Sequence, residues 1–180
     1  MTRKGKNGAI FYATRYGSTQ DYARWIAEAT GLSAHNIKKG DVALDDCDFV
    51  VLGCPVIYHK LLGCKWIQRH LDANSHKPVI LFTVSGAPAG PKLDGWIAKS
   101  LPQGLIDRAQ HFALLGRQDP MELTFFDRMM LIIGGLFNPD RKAGREELQG
   151  FDYVDKASIQ PVVDLIESWK RSDVTPDTAQ

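Results

Sequence analysis

Cysteine is scarce: the 180 residues hold three, Cys47, Cys54 and Cys64, with no Cys-x-x-Cys pair among them. That excludes a fully paired disulfide framework and the usual zinc or dithiol spacing, so free thiols are expected. Cys54 follows an apolar run where a nucleophile would sit, but the pattern of cysteine, five residues and arginine is not met there. A surplus of one charge is lacking too. Lys and Arg number 22 against 21 Asp and Glu, a net charge of +1, which raises no field suited to nucleic acid. After Arg3, Lys4 and Lys6 there is no apolar core with a small-residue cleavage site, so the chain is expected to be cytoplasmic. Two phosphate-binding patterns are missing as well: Gly-x-x-x-x-Gly-Lys-Ser/Thr for a nucleoside triphosphate and Gly-x-Gly-x-x-Gly for a dinucleotide. The rest of the composition, 44% hydrophobic and 24% charged, is ordinary for a globular chain. The length suits one domain over 1–171, with a polar, disordered tail expected from Ser172 to Gln180.

What is present is GAIFYATRYGSTQDYARW, from Gly8 to Trp25. The run Ala9 to Ala13 is rich in Ile, Phe and Tyr and short enough to be a buried parallel strand. Thr14, Arg15, Tyr16, Gly17, Ser18 and Thr19 follow, and Tyr22, Trp25, Ile26 and Ala29 then recur at helical spacing. A strand, a hydroxyl-rich turn and a helix in that order aim the free N–H groups and the positive end of the helix dipole at one point. Thr14, Ser18 and Thr19 would add hydroxyl donors there, a setting that fits a dianionic phosphate. Plain capping by Ser18 or Thr19 is the alternative, and the turn alone does not choose between them.

Further along, Gly31 is placed to close the first helix, and His35, Ile37 and Val42 suit a short edge strand. Asp45, Asp46 and Asp48 read as a solvated turn before Phe49 to Gly53, a β-branched and aromatic run of the kind buried on both faces. Cys54 to His59 is read as a loop, ahead of a helix marked by Leu62, Trp66, Ile67, His70 and Leu71. That loop carries Tyr58 to the carboxyl edge of the sheet, where ligands of open α/β sheets gather. The tyrosine is either a surface residue or a ring that stacks on a planar ligand. Pro78 to Thr83 is another buried strand, and Ser85, Gly86 and Ala87 open a third loop before a helix over Leu93 to Leu101. It is either an ordinary turn or a close backbone wall for a planar ring. Gln110 to Gly116 gives a further strand, and Ala157 to Trp169 a last helix with Pro161 tolerated in its first turns. Alternating strands and helices predict an α/β fold: a doubly wound, five-stranded parallel sheet with helices on both faces and right-handed crossovers.

One segment exceeds ordinary connections. About forty residues, roughly 117–154, lie between the last strand and the last helix. They include the apolar run Leu123 to Phe137, interrupted by Asp127 and Arg128. As a helix it would be on the order of 20 Å long, too short for a bilayer core of about 30 Å. A buried helix, a homodimer contact and a segment dipping into the membrane interface all remain open. The charged pair favours partial exposure, since a fully buried helix would have to compensate it. Met129 and Met130 would adapt to a partner or a hydrophobic substrate.

The loop ATRYGST resembles the flavodoxin pattern T-x-x-T-G-x-T, with Gly17 and Thr19 matching and Ala13 and Tyr16 departing. It resembles more closely the S-T-R-D-G-x-T loop of the bacterial flavodoxin-like, menaquinone-dependent protoporphyrinogen oxidases. GCPVIYH is similar to the second loop of those oxidases at Val56 and Tyr58, and DPMELTFFDRMMLIIGGLF to their insertion at Phe126, Asp127 and Arg128. The resemblance weakens after Asn138. It implies a flavodoxin-like fold and FMN, with Thr14, Arg15, Tyr16, Gly17, Ser18 and Thr19 at the phosphate. Pro55, Val56, Ile57, Tyr58, Ser85, Gly86 and Ala87 would then flank the ring. It further implies an oxidoreductase acting with a quinone, a porphyrinogen-like substrate or a redox partner, peripheral at the inner face of the membrane if 123–137 meets lipid. A pure electron carrier and a flavin-free interaction protein are the alternatives. Small flavodoxins are acidic for docking on basic partners, and a net charge of +1 speaks against the carrier.

Overall fold

Three strands that bury almost every side chain, Gly8–Tyr12, Phe49–Ile57 and Val79–Ser85, make the centre of the molecule, because the middle of a parallel sheet covered on both faces leaves no polar side. The computed structural model describes residues 6–39, 44, 46–71, 77–125, 127, 129 and 150–171. In chain order the elements are β1 Gly8–Tyr12, α1 Ser18–Thr30, β2 Ser33–Asn36, β3 Phe49–Ile57, β4 Lys60–Leu61, α2 Cys64–His70 and β5 Val79–Ser85. There follow α3 Pro91–Ser100, α4 Gln103–Ile106, β6 Ala109–Leu115, β7 Arg117–Gln118 and β8 Phe151–Asp152. A 3-10 turn, Lys156–Ile159, leads into the final helix α5, Gln160–Arg171. The parallel strands are ordered β2-β1-β3-β5-β6, the five-stranded α/β arrangement that the alternating pattern predicts.

Side chains alternate across the sheet and sort into two layers. Ile10, Phe49, Val51, Ile80 and Phe82 pack under Tyr22 and Ile26 of α1 and Val162 and Ile166 of α5. Phe11, Val50, Leu52, Val79 and Leu81 pack on the opposite side against Ile67 of α2 and Leu93 and Ile97 of α3. Helix α1 ends at Gly31, whose N–H donates to the Ala27 carbonyl at 2.8 Å. Tyr22 ties α1 to the end of β6 and to the chain entering the last helix. Its hydroxyl donates to the Leu115 carbonyl at 2.7 Å and accepts from the Asp155 N–H at 3.1 Å.

Three boundaries near the site differ from the sequence reading. Strand β5 runs on through Val84 and Ser85, which pair with Leu114 and Leu115 of β6, so Ser85 ends a strand rather than opening a loop. The edge strand β2 stops at Asn36, so Ile37 lies just beyond it, while Val42 falls outside the described residues. Strand β3 runs on through Pro55, Val56 and Ile57, which the sequence reading placed in a loop. Proline is tolerated there because β1 pairs with β3 only as far as Gly53, so the missing N–H removes nothing from a central ladder. The Pro55 carbonyl accepts from the Leu62 N–H at 2.9 Å, and β4 folds back antiparallel on Val56 and Ile57.

The long segment begins and ends in a small antiparallel ribbon, β7 with β8, in which Arg117 faces Asp152 and Gln118 faces Phe151. Of the apolar run, residues 123–125, 127 and 129 are described, and 125, 127 and 129 are helical. Phe126, Arg128 and 130–149 lie outside the described residues, as does the tail 172–180. Among the described residues no helix is long and apolar enough to cross a membrane.

Candidate cofactor site

The turn after β1 is held by its own side chains. Gly17 takes a left-handed conformation, φ 87°, and stands as the N-cap of α1 with no side-chain cap. Plain capping by Ser18 or Thr19 is therefore not what shapes this helix start, whose N-cap supplies no side-chain acceptor to the first-turn N–H groups. The Gly17 N–H donates instead to Thr14 Oγ1 at 3.2 Å. Ser18 Oγ accepts from the Arg117 N–H at 3.2 Å, so both hydroxyls are engaged as acceptors and keep their own protons for an anion. Thr19 is only 1% exposed. A side chain at Gly17 would stand 3.0 Å from Arg117 Nη2 in a backbone conformation that L residues rarely adopt. That guanidinium is braced by Asp21, 3.0 Å away on α1.

The turn between β3 and β4 brings Tyr58 to the same edge. Tyr58 and His59 both have positive φ, 49° and 62°, as the two central residues of a primed hairpin turn do, a conformation that costs non-glycine residues roughly 1 kcal/mol or more each. Tertiary contacts hold the turn on both sides. The His59 ring stacks on Trp96 of α3 at 4.6 Å, and the Tyr58 hydroxyl donates to Asp127 Oδ1 at 2.6 Å.

Asp127 is the contact that joins the loops. Although 3% exposed, its carboxylate receives the Tyr58 hydroxyl, the Tyr16 hydroxyl and the Arg15 guanidinium, and its own N–H donates to Thr124 Oγ1. Burial pushes the Asp127 carboxyl up, but the Tyr16, Tyr58 and Thr124 hydrogen bonds and the charge of Arg15 outweigh it, leaving the group below the ordinary carboxylate range. Burial and donation to Asp127 raise the Tyr58 phenol well above its ordinary range. Arg15 is destabilised by burial, yet Tyr16 and Asp127 more than offset this and hold it as a firm cation.

The third loop is closed on itself: Ser85 Oγ donates to the Ala87 carbonyl at 2.9 Å and accepts the Ala87 N–H at 3.2 Å. The insertion meets it here. A Cβ on Gly86 would fall 2.7 Å from the Phe151 ring, which in turn stacks on Tyr153 at 5.0 Å. Pro55 is buried, while Val56 and Ile57 are half-buried in the strand, so of that group Tyr58 alone is well exposed, at 44%. Cys54 is buried, with its thiol pushed up to about 12 by desolvation and by Cys64, which makes it a poor nucleophile.

Residues 9–133 match the family model described as a flavodoxin domain, which is more than half of the chain. The chain belongs to the flavodoxin family. Comparison with curated proteins finds none that matches. Among solved structures, the flavodoxin domain is similar to a flavodoxin from the domain Archaea, with 12% identity over 89% of this chain and 99% of that one and a TM-score of 0.47. A protein of Bacteroides uniformis aligns with 16% identity over 66% of this chain and 96% of the other, TM-score 0.48. A Fusobacterium nucleatum flavodoxin variant bound to flavin mononucleotide aligns at 14% identity over 64% and 71%, TM-score 0.42.

FMN is the cofactor that membership in this family assigns to the chain. The described residues fit it: an uncapped helix start with a glycine in a left-handed conformation, two hydroxyls with free protons, and a tyrosine ring on the same sheet edge. Sequence reasoning missed Arg117 and Phe151, which lie in the insertion's ribbon. It noticed Asp127 as a match to the insertion of the oxidases it resembles and as a charge that needed compensation, and the latter was the physical signal. Nothing in the local pattern names Arg15, Tyr16 and Tyr58 as its partners.

Proposed function

We propose that this flavodoxin-domain protein is an FMN-dependent oxidoreductase of the protoporphyrinogen oxidase-like type, acting with a quinone or a similarly apolar acceptor. The observation that carries the reading is the two-sided character of the insertion next to the cofactor loops. Asp127 points inward to Arg15, Tyr16 and Tyr58, whereas Phe125 at 82% and Met129 at 44% exposure present apolar surface outward, with Met121 at 81% close by in the chain. A pure electron carrier has no need of such surface beside its redox centre, and a net charge of +1 gives it little field for docking on basic partners. The apolar surface suits a hydrophobic substrate or the membrane interface that holds one.

In this reading Thr14, Ser18 and the first N–H groups of α1 bind the phosphate, with Arg117 close beside Gly17 at the turn. Tyr58 and the Ser85–Ala87 loop bound the ring, and the insertion shields it from water. Bound FMN supplies the exchange of electrons with substrate and acceptor. The chain's part is to bind, orient and set the electrostatics.

The test begins with the chromophore. Denaturing the purified protein is expected to release FMN, and the apoprotein to regain it in preference to FAD. Thr14→Ala with Ser18→Ala removes two hydrogen bonds to a charged group, at about 1.5 to 3 kcal/mol each, and is expected to weaken FMN far more than riboflavin. The FMN-loaded protein is expected to oxidise a porphyrinogen with a quinone acceptor and to associate with liposomes. Good reduction of a carrier-dependent enzyme with no turnover of either small substrate would favour the electron carrier.

A further inference from the structure

The Asp127 carboxylate is a polar hub built from three separate parts of the chain. Its donors are Arg15 and Tyr16, on the turn after β1, and Tyr58, on the turn after β3; the contacts to Tyr16 and Tyr58 span sequence separations of 111 and 69 residues. Among the described residues it is the one buried charged side chain. Thr124 accepts its N–H and so fixes the backbone from which it projects. Tyr58 is 44% exposed and sits on a turn whose two central residues both have positive φ, so its ring depends on outside anchors for its position.

We propose that Asp127 is a positioning residue of the flavin site: it locks the Tyr58 ring in place through its hydroxyl and neutralises Arg15, so that the insertion couples the phosphate turn to the ring-binding turn. This rests on the FMN reading above. Removing the carboxylate charge without changing its size has two consequences. Tyr58 loses the strong acceptor that holds its ring, and Arg15 becomes an uncompensated cation beside the cofactor, which stabilises reduced, anionic flavin. The ring and the redox equilibrium therefore respond together to a residue outside all three loops of the sheet edge.

The experiment is a double-mutant cycle on Asp127→Asn and Tyr58→Phe, read by fluorescence titration of the apoprotein with riboflavin and with FMN, and by spectroelectrochemistry of the loaded forms. Riboflavin isolates the ring from the phosphate. Each single variant is expected to bind riboflavin about tenfold more weakly, and the double variant no worse than either, because both act through one hydrogen bond. The midpoint potential of Asp127→Asn is expected to rise by a tenfold shift in the oxidised-to-reduced ratio, about 30 mV for a two-electron couple. Tyr58→Phe, which keeps the charges, is expected to move it less, and Asp127→Glu to restore part of both effects. Additive losses, or riboflavin affinity and potential equal to wild type, would overturn the proposal. Tighter FMN binding by Asp127→Asn would also overturn it, by showing that the carboxylate competes with the phosphate. Should Asp127→Asn fail to fold, Tyr58→Phe alone decides, since wild-type riboflavin affinity there removes the lock. Wild-type protein that binds neither FMN nor riboflavin would refute the FMN reading itself, a distinct failure.

Discussion

A carboxylate at 3% exposure is tolerated only when donors replace the water it has lost, and Asp127 has three side chains doing so. Its native pKa is held below the ordinary value, whereas in the unfolded chain it titrates near 3.9. The sign follows from linkage: the unfolded state takes up the proton first as pH falls. The stability that Asp127 contributes is therefore complete above about pH 4 and is lost as pH drops through the lowered native pKa. Asp127→Asn should be less stable than wild type in urea at pH 7, by less than the roughly 3 to 5 kcal/mol of a fully buried pair, because Arg15 is 34% exposed and is solvated when its partner is lost. That gap should narrow in melts taken progressively below pH 4. A gap unchanged down to pH 2.5 would mean that the carboxylate's charge is not what holds the loops. The need for compensation was visible in the sequence, because a charged pair interrupts an apolar run. The identity of the partners was not, since a tyrosine hydroxyl at such sequence separation leaves no periodic trace.

At the scale of elements, the strands Gly8–Tyr12 and Val79–Ser85 and the helix over 160–171 were legible, because continuous or periodic apolar runs report burial directly. The extension of β3 through Ile57 was not. Proline reads as a breaker, and only the early end of β1 explains why Pro55 is harmless. The apolar run of the insertion gave a third kind of signal: composition without direction. Its hydrophobicity was plain, yet which side would face the protein was fixed by Asp127, and Phe125 and Met129 were thereby turned outward. Phe125→Ser with Met129→Ser is accordingly expected to leave the melting temperature and FMN affinity nearly unchanged, surface substitutions usually costing under about 0.5 kcal/mol. Liposome association and turnover of an apolar substrate should fall sharply. A loss of several kcal/mol would place both side chains in a core, where each such truncation costs about 2 to 5 kcal/mol.

For the whole molecule, the order β2-β1-β3-β5-β6 places the turns after β1, β3 and β5 along one carboxyl edge, and this much followed from the alternation of strand and helix. The insertion's attachment did not follow from any local rule. Its two ends meet in the β7–β8 ribbon, where Gln118 faces Phe151 across antiparallel strands. A segment that leaves and returns at neighbouring points behaves as a cassette, because its length adds only the slowly growing entropy of a closed loop. Joining Gln118 to Phe151 by Asn-Gly, the pair best suited to a two-residue hairpin, would excise 119–150 and leave the sheet's own register intact. The spliced chain is expected to unfold cooperatively as a bare flavodoxin core; a molten product would show that the cassette completes the core. The same junction is a port through which evolution, or a protein engineer, can exchange one inserted segment for another while the sheet beneath keeps its strand order.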